Sequence, residues 1–341
     1  MNSNTKLLAL TCCLLLFSIP ALAATIGKLP AEKAGEIGSP TGKIAFIRSG
    51  DVWIMNANGA DQEKITEVTN ADGRLSWSPD GKTIAFTRSG LVDLQGPDLL
   101  GGKHKVYDIF LAFVDSAYVN NRQWWYRITD DLGSRDPQWL LDGRILYWKD
   151  LHANTVNAFT PNYQVCTMDK EGMNIEILRK DWQNSYEEFL ISPSMNSAGD
   201  LAVVDMFNQK SQGFAILKKS EYMLSMDTIK IRALDNQNMV APAWSPDGKW
   251  VAYVSNNLNQ PGLFITDSDN SQRYLVAQPP VGSYINTVAP SFSHDSKWVT
   301  YSTTDGSIWI CDITGKGARR LTPSGLDKFP AWWQTPLKQS K

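Results

Sequence analysis

One pattern, returning along all of this 341-residue chain, constrains its fold more than anything else in it. The segments Leu75-Ser-Trp77-Ser-Pro-Asp-Gly-Lys82, Pro137-Gln-Trp139-Leu-Leu-Asp-Gly-Arg144, Pro242-Ala-Trp244-Ser-Pro-Asp-Gly-Lys249 and Pro290-Ser-Phe292-Ser-His-Asp-Ser-Lys297 are copies of one unit. A weaker copy, Pro193-Ser-Met195-Asn-Ser-Ala-Gly-Asp200, has methionine at the aromatic position. Two half copies complete the series: Ser39-Pro-Thr-Gly-Lys43 has the turn without the aromatic, and Pro330-Ala-Trp332 has the aromatic without the turn.

Each turn leads into an alternating strand, from Ile44-Ala-Phe-Ile47 through Ile84-Ala-Phe-Thr87 and Val251-Ala-Tyr-Val254 to Val299-Thr-Tyr-Ser302. A second strand follows in every unit and a third closes most of them, as in Lys64-Ile-Thr66 and Arg320-Leu-Thr322. In Ser-Pro-Asp-Gly, proline presets φ, aspartate bonds its own backbone, and glycine accepts the left-handed angle that returns the chain. An aromatic residue just before the turn, at a fixed period, signals packing between neighbouring sheets. Successive anchors at 77, 139, 195, 244, 292 and 332 lie 62, 56, 49, 48 and 40 residues apart. Units of four strands at that period predict an all-β, six-bladed β-propeller of four-stranded antiparallel blades. Because the first unit lacks an aromatic strand and the last segment supplies a spare one, the C-terminal strand is expected to join the N-terminal blade and close the ring.

These repeats, P-x-W-S-P-D-G-K followed by I-A-F or V-A-Y, resemble the TolB-like six-bladed propellers, relatives of the WD-type propellers found largely in exported bacterial proteins. The resemblance covers residues 38–336 and implies a periplasmic protein-binding propeller. It extends to the propeller half of TolB alone: residues 24–37 are too few for the additional α/β domain, so a Tol-Pal role is not implied, and the shared turn serves many functions.

The chain divides into an expected signal peptide at 1–23, a linker at 24–37, the propeller at 38–336 and a tail at 337–341. Lys6, an apolar run from Leu7 to Ile19, and Ala21-Leu-Ala23 fit a cleavable secretory signal. The run is shorter than the roughly 17 residues a spanning helix needs. No membrane span is therefore expected, and the protein should be periplasmic or secreted. With 33 basic against 35 acidic residues, no field favours nucleic acid as partner. Three histidines make a histidine metal centre improbable, and no metal or other cofactor is expected. Past residue 23 only Cys166 and Cys311 remain, with no histidine near either in sequence.

In a propeller the D-to-A and B-to-C connections emerge on one face, where the sequence places its irregularity. Ser89 to Lys105 is the longest excursion, followed by Asp150 to Asn162, Asp181 to Phe189 and Gln278 to Val288. Arg48, Arg88 and Lys149 follow the B strands of the first three blades, Arg74 and Arg135 are expected in adjoining D-to-A loops, and His104 and His152 in B-to-C loops. Such cations could hold an anionic group or an acidic partner segment. Equally, they could pair with Asp51, Asp72, Asp136 and Asp150 nearby. Trp182 and Tyr186 are candidates for stacking on a sugar, whereas Trp124-Trp125-Tyr126 is expected to pack against a neighbouring blade. Asn56-Ala-Asn58-Gly59 and Asp267-Ser-Asp269-Asn270 look like fragments of calcium loops but fit C-to-D turns better. Catalytic motifs are missing: there is no G-x-S-x-G elbow, and no carboxylate faces Glu187 and Glu188 across a recognisable cleft. Binding of an envelope protein or peptide by a monomer is the expected function, with a glycan-binding or glycan-processing propeller as the alternative.

Overall fold

The computed structural model describes residues 26–93, 103–114, 124–153, 163–178, 190–205, 213–222, 239–255, 260–269, 271–286, 288–323 and 325–333. Trp182 and Tyr186, and the expected signal sequence at 1–23, lie outside them. Among these residues the strands form six antiparallel sheets, each a blade whose strands are lettered A to D from the axis outward. Blade two is Ala71–Trp77, Thr83–Asp93, Lys103–Phe113 and Trp125–Arg127; blade three is Ser134–Trp139, Ile145–Asp150, Tyr163–Met168 and Glu176–Ile177. Blade five runs from Met239–Trp244 to Arg273–Ala277 and blade six from Ser291–Phe292 to Arg319–Arg320, each with four strands. Blade four shows Leu190–Met195, Leu201–Asp205 and Gly213–Leu217; its expected fourth strand at Arg232-Ala-Leu234 lies outside the described residues.

Blade one takes its inner strand from the far end of the chain. Asp327–Trp333 pairs with Lys43–Arg48, placing Ile44 opposite Trp332 and Arg48 opposite Asp327; Asp51–Asn56 and Glu63–Lys64 follow outward. The ring is thus closed by the C-terminal strand, as the two half repeats predict.

Alternation along each B strand assigns its side chains to two neighbours, because successive residues point to opposite sheet faces. Ile44 and Phe46 pack with Ile308 and Ile310 of blade six, while Ala45 and Ile47 pack with Ile84 and Phe86 of blade two. Six such clusters occur, one at each junction between blades. The anchors sit there too: Trp77 is 7% exposed between blades one and two, where its Nε1 donates to the Ala331 carbonyl at 3.0 Å.

The turn chemistry is as the motif dictates. Ser78 Oγ donates to Asp80 Oδ1 at 2.6 Å and accepts from Thr83 N at 3.0 Å, and Asp80 also accepts from Lys82 N. Gly81 follows at φ +69°, where a Cβ would stand 2.1 Å from the Trp333 ring. The same bonds recur at Ser245 and Ser293.

Two expected irregular stretches are ordered by the fold. Residues 89–105 begin and end as strand, with ladder pairing continuing out to Asp93 opposite Lys103, so the alternation of Leu91, Val92 and the facing Lys105 and His104 is a projecting hairpin rather than loop; residues 94–102 at its end lie outside the described residues. The expected linker is, from Ile26 on, a strap across the outside of the ring. Gly27 O accepts from Leu275 N of blade five at 3.0 Å, Leu29 and Ala34 enter the cluster between blades five and six, and Gly38 O accepts from Trp298 Nε1. No helix among the described residues is long and apolar enough to cross a membrane.

Candidate functional site

On the face of the B-to-C and D-to-A connections, the cations are consumed by structure. Arg48 makes a two-pronged pair with Asp327, Nε to Oδ1 and Nη2 to Oδ2 each at 2.7 Å, and lies over the Phe46 and Trp53 rings. That bond holds the Arg48 guanidinium above its ordinary range even against burial. Lys149 pairs with Asp131 at 2.9 Å. Arg88 Nε donates to Asn70 Oδ1 at 2.6 Å over Phe110 and Trp125, and Trp124 Nε1 donates to Ile65 O of blade one. Pairing therefore dominates here, although with partners other than the loop carboxylates considered from sequence: Asp72 instead takes Lys105 at 2.6 Å and Lys328 at 3.2 Å. Burial would raise the Asp72 carboxyl, but those two ammonium groups outweigh it and hold it below the usual range.

Arg74 and Arg135 are placed differently from expectation. Both lie in innermost strands rather than in loops, because the D-to-A connections are short and the A strands begin early. The Arg135 guanidinium is wedged 3.8 Å from the Trp148 ring centroid and 4.4 Å from that of Tyr107. His152 caps the turn after Asp150 through its backbone N, and His104 stands opposite Val92 in the hairpin.

The sequence singles out Arg74 as a cation, but its place in the fold is not foreseen there. In blades one, three, four and five the A strand bulges by one residue at a left-handed position followed by proline, Phe329-Pro330, Asp136-Pro137, Ser192-Pro193 and Ala241-Pro242. Blade two has Leu75 where the others have proline, and its bulge holds one residue more, Gly73-Arg74-Leu75 against Phe86 alone. Gly73 adopts φ +78°, and a Cβ there would stand 2.7 Å from Asp136 Oδ1. The wider bulge turns the Arg74 side chain into the channel. Nη2 donates to Pro242 O at 3.0 Å and Nη1 to Pro193 O, both across the axis in blades five and four. Its own N–H is fixed by Asp136 Oδ1 at 2.9 Å, and Asp136 is braced in turn by Trp148 Nε1. Burial lowers the guanidinium from its usual range, with Asp136 opposing the shift. The misplaced proline was the available signal: an arginine in a proline-lacking copy of an inner strand must go somewhere along the axis.

The guanidinium divides the channel. On the A-to-B-turn side a cavity of about 500 Å³ opens between the turns of blades two to six, floored by Arg74 and walled by anchors including Trp139, Trp244, Phe292 and Trp332. Leu141, 71% exposed, and His294 stand at its rim. A concave site of this size, largely apolar and with one charged group at its base, has the form of a binding pocket.

The two cysteines are shielded from reagents. Cys166 and Cys311 are free and fully buried in junction clusters, and burial pushes the Cys166 thiol up to about 11 and that of Cys311 higher still. The Asn56–Gly59 stretch is a turn, with Gly59 N donating to Asn56 O at 2.8 Å.

No family model matches the sequence. Among curated proteins, the chain is 24% identical over 231 residues to an uncharacterized protein, Atu1656, of Agrobacterium fabrum; the match spans 64% of this chain and 66% of that protein. Among solved structures, TolB from Acinetobacter baumannii superposes with a TM-score of 0.63 at 17% identity, covering 87% of this chain and 68% of the other. A protein of Agrobacterium tumefaciens assigned as a TolB gives 0.58 at 12% identity, covering 87% and 95%. The fold is that of the TolB-like six-bladed propellers.

Proposed function

We propose that this chain is an exported binding module that takes a protein or peptide segment into the aromatic-walled cavity at the A-to-B-turn end of its channel. The supporting observation is the contrast between its two ends. At one, Arg48 and Lys149 are neutralised by Asp327 and Asp131, and Arg88, which keeps its charge, is held by Asn70 over the Phe110 and Trp125 rings. At the other, large apolar side chains from all six blades surround an open well. Aromatic anchors ringed by polar groups are what peptide recognition uses. Export rests on residues 1–23 and on the company of periplasmic propellers. The glycan reading rested on Trp182 and Tyr186, which lie outside the described residues, and nothing in the cavity favours it.

The test is a peptide library screened on immobilised protein lacking residues 1–23, followed by titration of the hits. Leu141→Asp and His294→Asp, at the rim, should weaken binding by about tenfold or more, as expected where a hot-spot contact is lost. Arg88→Ala and Lys149→Ala should leave it unchanged; the opposite pattern would move the site to the other face. Cell fractionation, with the mass of the recovered chain, checks export and removal of residues 1–23.

A further inference from the structure

The cavity has one property that restricts what can enter it. Arg74 crosses from blade two to the carbonyls of Pro193 and Pro242, so a chain entering from the A-to-B side meets a floor and cannot thread the ring. A blind well admits an end of a chain in preference to its middle. The floor is cationic: among the described residues no carboxylate is within ion-pair distance of the guanidinium, and Asp136 binds the Arg74 backbone N–H and the indole of Trp148 instead. Two of the five guanidinium N–H groups are spoken for by the proline carbonyls, which fix the plane of the fork; no hydrogen bond from the other three is seen among the described residues. An amino terminus would bring like charge to this floor, whereas a carboxylate is what a guanidinium fork matches best.

We infer that the well reads the C-terminal carboxylate of a partner polypeptide, with Arg74 as the anion receptor and the walls of Trp139, Trp244 and Phe292 taking apolar side chains of the last residues. This inference rests on the peptide-binding reading above and names the part of the partner that is bound. The apolar rim at Leu141 extends the wall outward, so the residues preceding the terminus also find contact. The pre-set geometry matters: because two blades hold the guanidinium before any ligand arrives, little rotamer entropy is lost on binding.

The experiment compares each peptide found by the library screen as its free acid and as its C-terminal amide, by titration of tryptophan fluorescence and by calorimetry. A charge-assisted hydrogen bond to a carboxylate is worth enough that amidation should lower affinity by ~10- to ~100-fold. Arg74→Met should bind free acid and amide alike, and Arg74→Lys should keep a reduced preference for the acid. Thermal melts of both variants establish that the ring is intact, and if Arg74→Met does not fold, the acid-to-amide ratio on the natural protein and on Arg74→Lys still decides. Equal binding of acid and amide by the natural protein, or an undiminished preference in Arg74→Met, overturns the inference while leaving a peptide site in place. Binding of neither form overturns both. A peptide with an internal glutamate and an amidated end that binds as well as the free acid also overturns it.

Discussion

Single residues in this ring are constrained by what the next blade brings against them. Gly81 is the sharpest case, since its left-handed φ and the Trp333 ring 2.1 Å from a would-be Cβ act together. Gly81→Ala should destabilise the protein by about 1–3 kcal/mol in chemical denaturation, through strain and displacement of the closing strand. The two cysteines provide a complementary check. Buried at 1% and 0% exposure and held as thiols, they should not react with a thiol reagent such as DTNB at pH 8 until denaturant is added, when both should react at the rate of unfolding. At this scale the sequence was legible where a residue does the same job in several copies, as the serine and aspartate of the turn do in blades two, five and six. Arg74 was legible as a candidate cation but not in its place across the channel, because that depends on a bulge wider by one residue and on carbonyls more than a hundred positions away; only the leucine standing in for proline marked it.

Strands and connecting segments carry the electrostatics. Asp72 and Asp131 both titrate below the ordinary carboxylate range: burial works against ionisation in each, and Lys105 and Lys328 in the first and Lys149 in the second prevail. Their contribution to stability is complete above the unfolded value of about 3.9 and is lost as pH falls through the depressed folded values. Asp108, raised by burial despite Arg127, has the opposite sign and partly offsets them. The thermal midpoint should therefore drop between about pH 4 and pH 2, and Asp72→Asn combined with Asp131→Asn should flatten that limb while lowering the midpoint at pH 7. The strap at 26–38 had no repeat to reveal it, and its apolar residues are too few to show a period. Leu29 is 3% exposed, so Leu29→Ala should cost about 2–5 kcal/mol, whereas a true linker would show no change on equilibrium unfolding. The hairpin of blade two was half legible: Leu91-Val92 alternates too briefly to distinguish from loop, and its pairing is settled by register with Val106 to His104 rather than by propensity.

The whole molecule was the most legible level, since blade count, strand order and closure all follow from counting copies and noticing which half is missing at each end. What could not be read was that the channel is divided, because that depends on one side chain spanning the axis. Closure makes a prediction of its own. Asp327 is almost wholly buried against Arg48, so Asp327→Asn strands a guanidinium and should cost ~2–4 kcal/mol, at the lower end for a buried pair because Arg48 keeps partial access to water. If the ring unfolds as one unit, probes in blade one and blade four should report the same denaturation midpoint in that variant.

The Arg48–Asp327 contact joins residues 279 positions apart. In a chain that emerges N-terminus first, the strand at Lys43–Arg48 therefore has an unsatisfied hydrogen-bonding edge until Asp327–Trp333 has followed it. Such an edge is a template for the wrong partner, including the same strand of another nascent chain. A ring sealed in this way completes blade one only after the other five have emerged, and that interval is when a chaperone would have most to protect.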